Sequence, residues 1–219
     1  MAITTEKKRN NRMFASEISR EELQLLPLMH FGGIIHVAET KQRADELVRR
    51  LMRSPVLGFD TETRPSFTKG HINRVALLQL ATETHACLFR LNKMHFPASL
   101  AALLSNPDIL KVGIAIKNDF DVLHRTAKIQ PQGFVDLQNV VKKFGINDMG
   151  LAKIAGNVMG IRISKTQQLS NWEHDTLSDA QKKYAATDAW ACFEIYRKLF
   201  FLSPQEKFVE SDQHKNKLM

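Results

Sequence analysis

Two acids stand one residue apart in Phe59-Asp60-Thr61-Glu62, and a phenol precedes an acid by four residues in Tyr184-Ala-Ala-Thr-Asp188. The first pair closes an apolar run, Val56-Leu-Gly-Phe59, that reads as a strand. Side chains alternate along a strand, so Asp60 and Glu62 point to one side at its carboxyl end, where open α/β sheets place their sites. The second pair lies in a run that reads as a helix from about residue 179 to about residue 199, opened by a capping box of Ser178 and Gln181. On that helix Tyr184, Asp188, Ala191, Ile195 and Leu199 share an arc of roughly 80°, the stripe it would bury. Carboxylates that are buried or crowded are costly unless a cation offsets them. Asp119 follows a further apolar run, Leu110-Lys-Val-Gly-Ile-Ala-Ile116, again at a carboxyl end. Four acids from three elements can converge above one sheet edge. That is the oxygen-rich set that two Mg²⁺ or Mn²⁺ ions need for in-line attack on a phosphodiester.

Each residue also has a plainer reading. Asp60 and Glu62 can lap into solvent, and Asp188 can stay wet on a protruding turn. Asn118, Asp119 and Asp121 all compete as an ordinary helix N-cap, and spacing alone does not choose among them. Asp136 reads as the cap of the helix that follows it.

The surrounding elements are those that could hold such a site. A capping box, Ser19-Arg-Glu-Glu22, opens a short helix that Pro27 limits. Ile34–Val37 reads as a strand, and Thr40 caps a helix whose apolar positions are Ala44, Leu47, Val48 and Leu51. Val75–Leu80 and His85–Phe89 form an antiparallel meander with the strand bearing Asp60. Helices are expected over 96–104, from Asn118 onward, after Asp136 to about Phe144, and over 149–159. A brief strand covers 133–137, and 160–172 reads as an irregular polar crossover. Strands in succession followed by alternating helix and strand predict one α/β domain, a mixed sheet with helices on both faces.

Composition narrows the partners. The 219 residues carry 31 Lys+Arg against 23 Asp+Glu, a formal charge of +8, which favours a polyanion, nucleic acid before membrane. Cys87 and Cys192 make neither a disulfide framework nor a zinc motif. No apolar run approaches the roughly 18 residues of a membrane span, and the N-terminus lacks an apolar signal core. A cytoplasmic, reducing setting is expected.

Three runs carry a resemblance: FDTETRPSF, KVGIAIKNDFDVL and KYAATDAWA. They resemble the three motifs of the DnaQ-like 3′-5′ exonucleases, in the branch with tyrosine in the third motif (the DEDDy type). The likeness is to exonuclease domains of the Werner helicase and ribonuclease D kinds. It extends through VALLQLAT and through SNW to QKKYAATDA, covering roughly 33–202. It implies a ribonuclease-H-like sheet of five to six strands and metal ligation by Asp60, Glu62, Asp119 and Asp188, with Tyr184 orienting the attacking water. Asp119 is preferred to Asp121 because the family's second acid precedes a leucine by four, as Asp119 precedes Leu123. The resemblance implies two Mg²⁺ or Mn²⁺ ions and a nucleic acid with a 3′ end, single-stranded or recessed, cut to nucleoside monophosphates. Thr61 and Lys165 are candidate substrate contacts; Arg64, Lys69, Arg74 and Lys117 are weaker ones. Gln79, Leu80 and Phe59 read as packing, Trp172 as an anchor beneath the crossover, and His124 and His174 as structural or surface residues. Where relatives carry a basic element near SNW, this chain has Gln167-Gln168 and Glu173-His174-Asp175. The expected organisation is a basic N-terminal extension with a short helix (1–30), an exonuclease domain (31–203) and a polar tail (204–219). Two rivals stand beside it: an idle relative that only holds nucleic-acid ends or a protein, and a phosphoesterase for small nucleotides.

Overall fold

The structure, a computed structural model, describes residues 13–66, 73–123 and 129–201. Lys69, His124, the Lys7-Lys8-Arg9 run and the 204–219 tail lie outside the described residues. Six strands form one sheet: β1 (Ile34–Ala38), β2 (Val56–Thr63), β3 (Val75–Ala81), β4 (His85–Arg90), β5 (Leu110–Gly113) and β6 (Phe134–Asp136). Their order is β1-β4-β3-β2-β5-β6. β3 is antiparallel to both its neighbours, and every other pairing is parallel, so the sheet is mixed with one reversed strand. The expected meander of three strands is present as β2-β3-β4.

Two layers of helices cover the sheet. On one face lie α2 (Lys41–Leu51), α3 (Ala98–Leu104) and α4 (Ile116–Leu123). They bury Leu57 and Phe59 of β2 with Leu78, Leu80, Cys87 and Phe89. The other face carries α5 (Leu137–Lys143), α6 (Leu151–Met159) and α7 (Asp179–Phe201). The capping box of α7 is formed: Ser178 N donates to Gln181 Oε1 at 3.0 Å, and Gln181 N to Ser178 Oγ at 3.2 Å. Its predicted stripe is buried, Asp188 included, and so are Ala185, Ala186, Ala189 and Cys192. A helix with alanines toward a sheet can approach it closely. At Gly58 of β2 an added Cβ would collide with the Ala189 carbonyl, so glycine is what lets the α7 backbone rest on the strand.

Two expectations need correction. The apolar run from Leu110 does not stay a strand to Ile116: β5 ends at Gly113, and Ile116 is already helical. Between them Ala115 takes φ 52°, a left-handed turn that reverses the chain. Asn118 and Asp119 therefore lie inside α4, and neither caps it. The cap comes from far along the chain. Asp136 accepts from Ala115 N (3.3 Å) and Ile116 N (3.2 Å), and also from Gln138 N (2.9 Å) at the start of α5. One carboxylate serves two helix starts.

The N-terminal segment belongs to the packed body. α1 (Arg20–Leu25) has both bonds of its capping box. Ile18 N donates to Asp148 Oδ2 (2.9 Å), and Asn157 Nδ2 donates to the Ala15 carbonyl (2.7 Å). Gly156 of α6 leaves the room that Leu23, Ile18 and Leu26 fill. Leu28 and Arg162 then pair as an isolated parallel bridge, with Met29 N donating to Arg162 O at 2.8 Å.

Candidate active site

Alternation along β2 sorts its residues. Leu57 and Phe59 enter the α2–α3 core, while Gly58, Asp60 and Glu62 face α7. Asp188 arrives from α7, and ligand atoms of Asp60, Glu62 and Asp188 lie within 4.8 Å of one another. Tyr184, one turn earlier, donates its hydroxyl to Asp188. The tyrosine ring is fixed from behind by Trp172, fully buried, with ring centroids 6.0 Å apart.

Asp119 is not a member of this cluster. It stands beside it, on the α4 side of β2, where Thr61 Oγ1 donates to Asp119 Oδ1 at 2.5 Å. Thr61, expected as a substrate contact, thus orients an acid as well as lining the cleft. The cavity in front of the acids measures about 300 Å³ and is lined by Asp60, Thr61, Glu62, Ser164, Lys165 and Gln168 among others, with Tyr184 and Asp188 on its wall. Lys165 is there as expected. Arg64 instead pairs with Glu173 (3.5 Å), and Arg74 and Lys117 do not line the cavity. Ser164 and Gln168 were not picked out as contacts, because a serine and a glutamine in an irregular segment carry no residue-type signal.

The electrostatics are those of acids that burial and mutual repulsion dominate. Burial, then Glu62, Asp188 and Asp119, push the Asp60 carboxyl well above the usual range. Burial and the charges of Asp188 and Asp119 raise Glu62 to about 9. Burial lifts Asp188 to about 7, against the Tyr184 hydrogen bond and the nearby Lys165 charge. Asp119 rises to about 6, again through burial, with the Thr61 bond opposing it. Tyr184 is driven upward by burial and by the same acids. Across the β2–β3 pair, Gln79 opposes Asp60, fully buried with neither amide atom bonded. Like charges gathered in a desolvated cleft either hold protons or hold a cation. Three hard oxygen donors on rigid elements suit a divalent cation of the Mg²⁺ or Mn²⁺ kind.

Opposite the acids, the crossover is clamped. Arg90, fully buried at the end of β4, donates to Glu39 (2.8 Å), to the Asp175 carbonyl (2.6 Å) and to the His174 carbonyl. Lys93 adds a 2.6 Å ion pair to Asp175. Of the residues read as departures from the family pattern, His174 and Asp175 are held by this clamp.

A mixed sheet with one reversed strand, flanked by helices, defines a ribonuclease-H-like fold, and clustered carboxylates stand at the end of its central strand. Comparison with known proteins agrees. The profile of the 3′-5′ exonuclease family matches residues 35–200, and the chain belongs to that family. Its members are hydrolases. The mouse bifunctional 3′-5′ exonuclease/ATP-dependent helicase WRN is 34% identical over 184 residues, which is 80% of this chain and 13% of the mouse protein. A 3′-5′ exonuclease of Arabidopsis thaliana is 30% identical over 198 residues, 83% of this chain and 69% of that protein. The Nibbler EXO domain of Aedes aegypti superposes with a TM-score of 0.72 at 23% identity, covering 78% of this chain and 90% of the domain. Among the described residues, no helix is long and apolar enough to cross a membrane.

Proposed function

We propose that this chain is a metal-dependent 3′-5′ exonuclease that removes nucleoside 5′-monophosphates from the 3′ end of a single-stranded or recessed nucleic acid. The observation that carries the reading is the trio of half-buried Asp60 and Glu62 and buried Asp188, with ligand atoms within 4.8 Å and, among the described residues, no ion pair to any of them. These three would hold one divalent cation, and Asp60 with Asp119 would hold a second, the latter through water. Bound there, Mg²⁺ or Mn²⁺ would lower the pKa of an attacking water and offset charge on the departing 3′ oxygen.

The side chains set the rest. Tyr184 is a poor base, since its neighbours raise its pKa above an already high value. Its hydroxyl, bonded to Asp188, orients the water for attack along the line of the breaking bond. Thr61 holds Asp119 in place from the strand between the two acids. Lys165, exposed at the cavity wall, meets a phosphate and draws the strand toward Asp188.

The test is an oligonucleotide labelled at either end, incubated with Mg²⁺ or Mn²⁺, with and without chelator. Monophosphate release from the 3′ end that chelator abolishes is the expected result. A chain that binds the oligonucleotide and leaves it whole in both metals would sink the reading.

A further inference from the structure

A cavity of about 490 Å³ lies away from the acids, at the opposite end of β2. Leu51 and Val56 line it, with the rings of Phe193 and Tyr196 from α7. Val56 and Glu62 are separated by most of the length of β2, roughly 20 Å of extended chain. The two cavities draw on the same strand and helix and have no lining residue in common.

Arg50 and His85 line this cavity and belong to a basic cluster that joins α2, β1 and β4. His36 Nε2 lies 3.1 Å from His85 Nδ1 and 3.3 Å from Arg50 Nη1, and His36 Nδ1 lies 3.4 Å from Arg43 Nη2. The two imidazoles stack, with centroids 5.3 Å apart. Burial, then Arg50, His85 and Arg43, hold the His36 imidazole below its ordinary range. The cluster is short of acceptors. Two arginines approach different nitrogens of His36, and a neutral imidazole has one lone pair to offer. Arg43 has Glu46 at 2.6 Å, whereas Arg50 makes no ion pair among the described residues. Arg197 also lines the cavity, yet it pairs with Glu194 (2.8 Å) and Glu83 (3.8 Å). The demand for an anion therefore falls on Arg50 and its two histidines. A phosphate supplies several charged acceptors in one compact group, and arginine meets it well.

We propose that this cavity is a second ligand site, for a nucleoside 5′-monophosphate, with the phosphate on Arg50, His36 and His85 and the base against Phe193 and Tyr196. Small-molecule sites of about 300–1,000 Å³ are apolar within and carry a few placed polar groups, as this one does. A flat base stacks on aromatic rings whatever its identity. The choice of a nucleotide among aromatic phosphates rests on the exonuclease reading, since monophosphates are what that activity releases. The cavity and its surplus of donors stand without it.

The test is calorimetric titration of the whole chain with adenosine 5′-monophosphate in chelator, so that no metal draws the nucleotide to the acids. Saturable binding with Kd below about 1 mM is expected, with inorganic phosphate and adenosine each at least about ten-fold weaker. Arg50→Glu changes an exposed position, and Ser54→Trp adds a ring to the cavity lining. Each should weaken binding about ten-fold or more, and Lys165→Glu in the acid-lined cavity should leave it within about two-fold. Thermal midpoints show which variants keep the fold. The site is overturned by no saturable binding, by inorganic phosphate binding as tightly as the nucleotide, by folded variants at Arg50 and Ser54 that bind unchanged, or by an equal loss with Lys165→Glu. The end-labelled oligonucleotide assay with metal reads the exonuclease activity separately. A chain that cuts without binding the monophosphate removes only this site, and one that binds without cutting removes only the exonuclease reading.

Discussion

Two places at the same end of the sheet bury charge, and they do so in opposite ways. Arg90 on β4 is partnered: a carboxylate and two carbonyls receive its two terminal nitrogens, leaving Nε alone unbonded, and the result is a fixed crossover. Asp60, Glu62 and Asp188 on β2 and α7 are starved: three carboxylates share a cleft, and burial and mutual repulsion raise their proton affinities, with only the nearby Lys165 charge opposing at Asp188 among the described residues. The first arrangement is complete as folded, and its job is to hold shape. The second is incomplete as folded, and a group from outside must finish it. Burial alone does not separate the two, nor does cavity size. A larger cavity of about 490 Å³ at the other end of β2, lined by Val56, Phe193, Tyr196 and Arg197 among others, gathers no cluster of acids.

The contrast can be broken most sharply at Asp188. Asp188→Ala is expected to cut 3′ cleavage by at least about a thousand-fold while leaving the metal-free protein as stable as before or more so, since it removes a repelling carboxyl. Cleavage rates and denaturant midpoints read both effects; a large drop in stability would mean that the acid was structurally paired after all. Arg90→Ala should behave the other way. Loss of its charge-assisted bonds is expected to cost about 2–4 kcal/mol in urea unfolding, with KM for an oligonucleotide rising more than kcat falls.

Tyr184→Phe is a smaller cut across the same boundary. It keeps the ring on Trp172 and removes only the hydroxyl, so cleavage should slow about 10- to 100-fold with the thermal midpoint unchanged. Full activity would remove the role given to that hydroxyl.

The mildest effect is on pH dependence. Glu62 holds its proton to about 9 in the fold, against an ordinary 4.5. Between those values the unfolded chain has lost a proton that the folded one keeps, so stability of the chelated protein should fall as pH rises from about 5 to about 9. Mg²⁺ should flatten that slope, as should Glu62→Gln. Thermal midpoints at pH 5, 7 and 9 with chelator and with metal provide the check.

What was legible in the chain was local or periodic. Alternation in Phe59-Asp60-Thr61-Glu62 gave the direction of both acids, and the capping box at Ser178 with a four-residue step gave Tyr184 and Asp188. The start of α4 was not legible, because it depends on a left-handed Ala115 and on a cap from Asp136, 20 residues on at the end of the next strand. The same holds for the N-terminal segment: Ile18 is held by Asp148, and no local pattern announces a bond of that range. Arg90, just past the expected strand His85–Phe89, drew no reading at all; only the folded crossover shows what it grips. The burial of α7 was underread for a related reason. Periodicity marked one apolar stripe, whereas its alanines bury a second side against the sheet, and alanine is a weak hydrophobic signal.

Gly58 carries a consequence for assembly in time. β2 and its two acids are made early in synthesis, and Asp188 comes with α7, the last described element, which settles onto the bare backbone at that glycine. Until that long-range docking happens there is no third carboxylate, and pairings of such high contact order form late. A growing chain therefore lacks the third carboxylate of the cluster until α7 has docked, and the acid cluster arrives with completion of the fold.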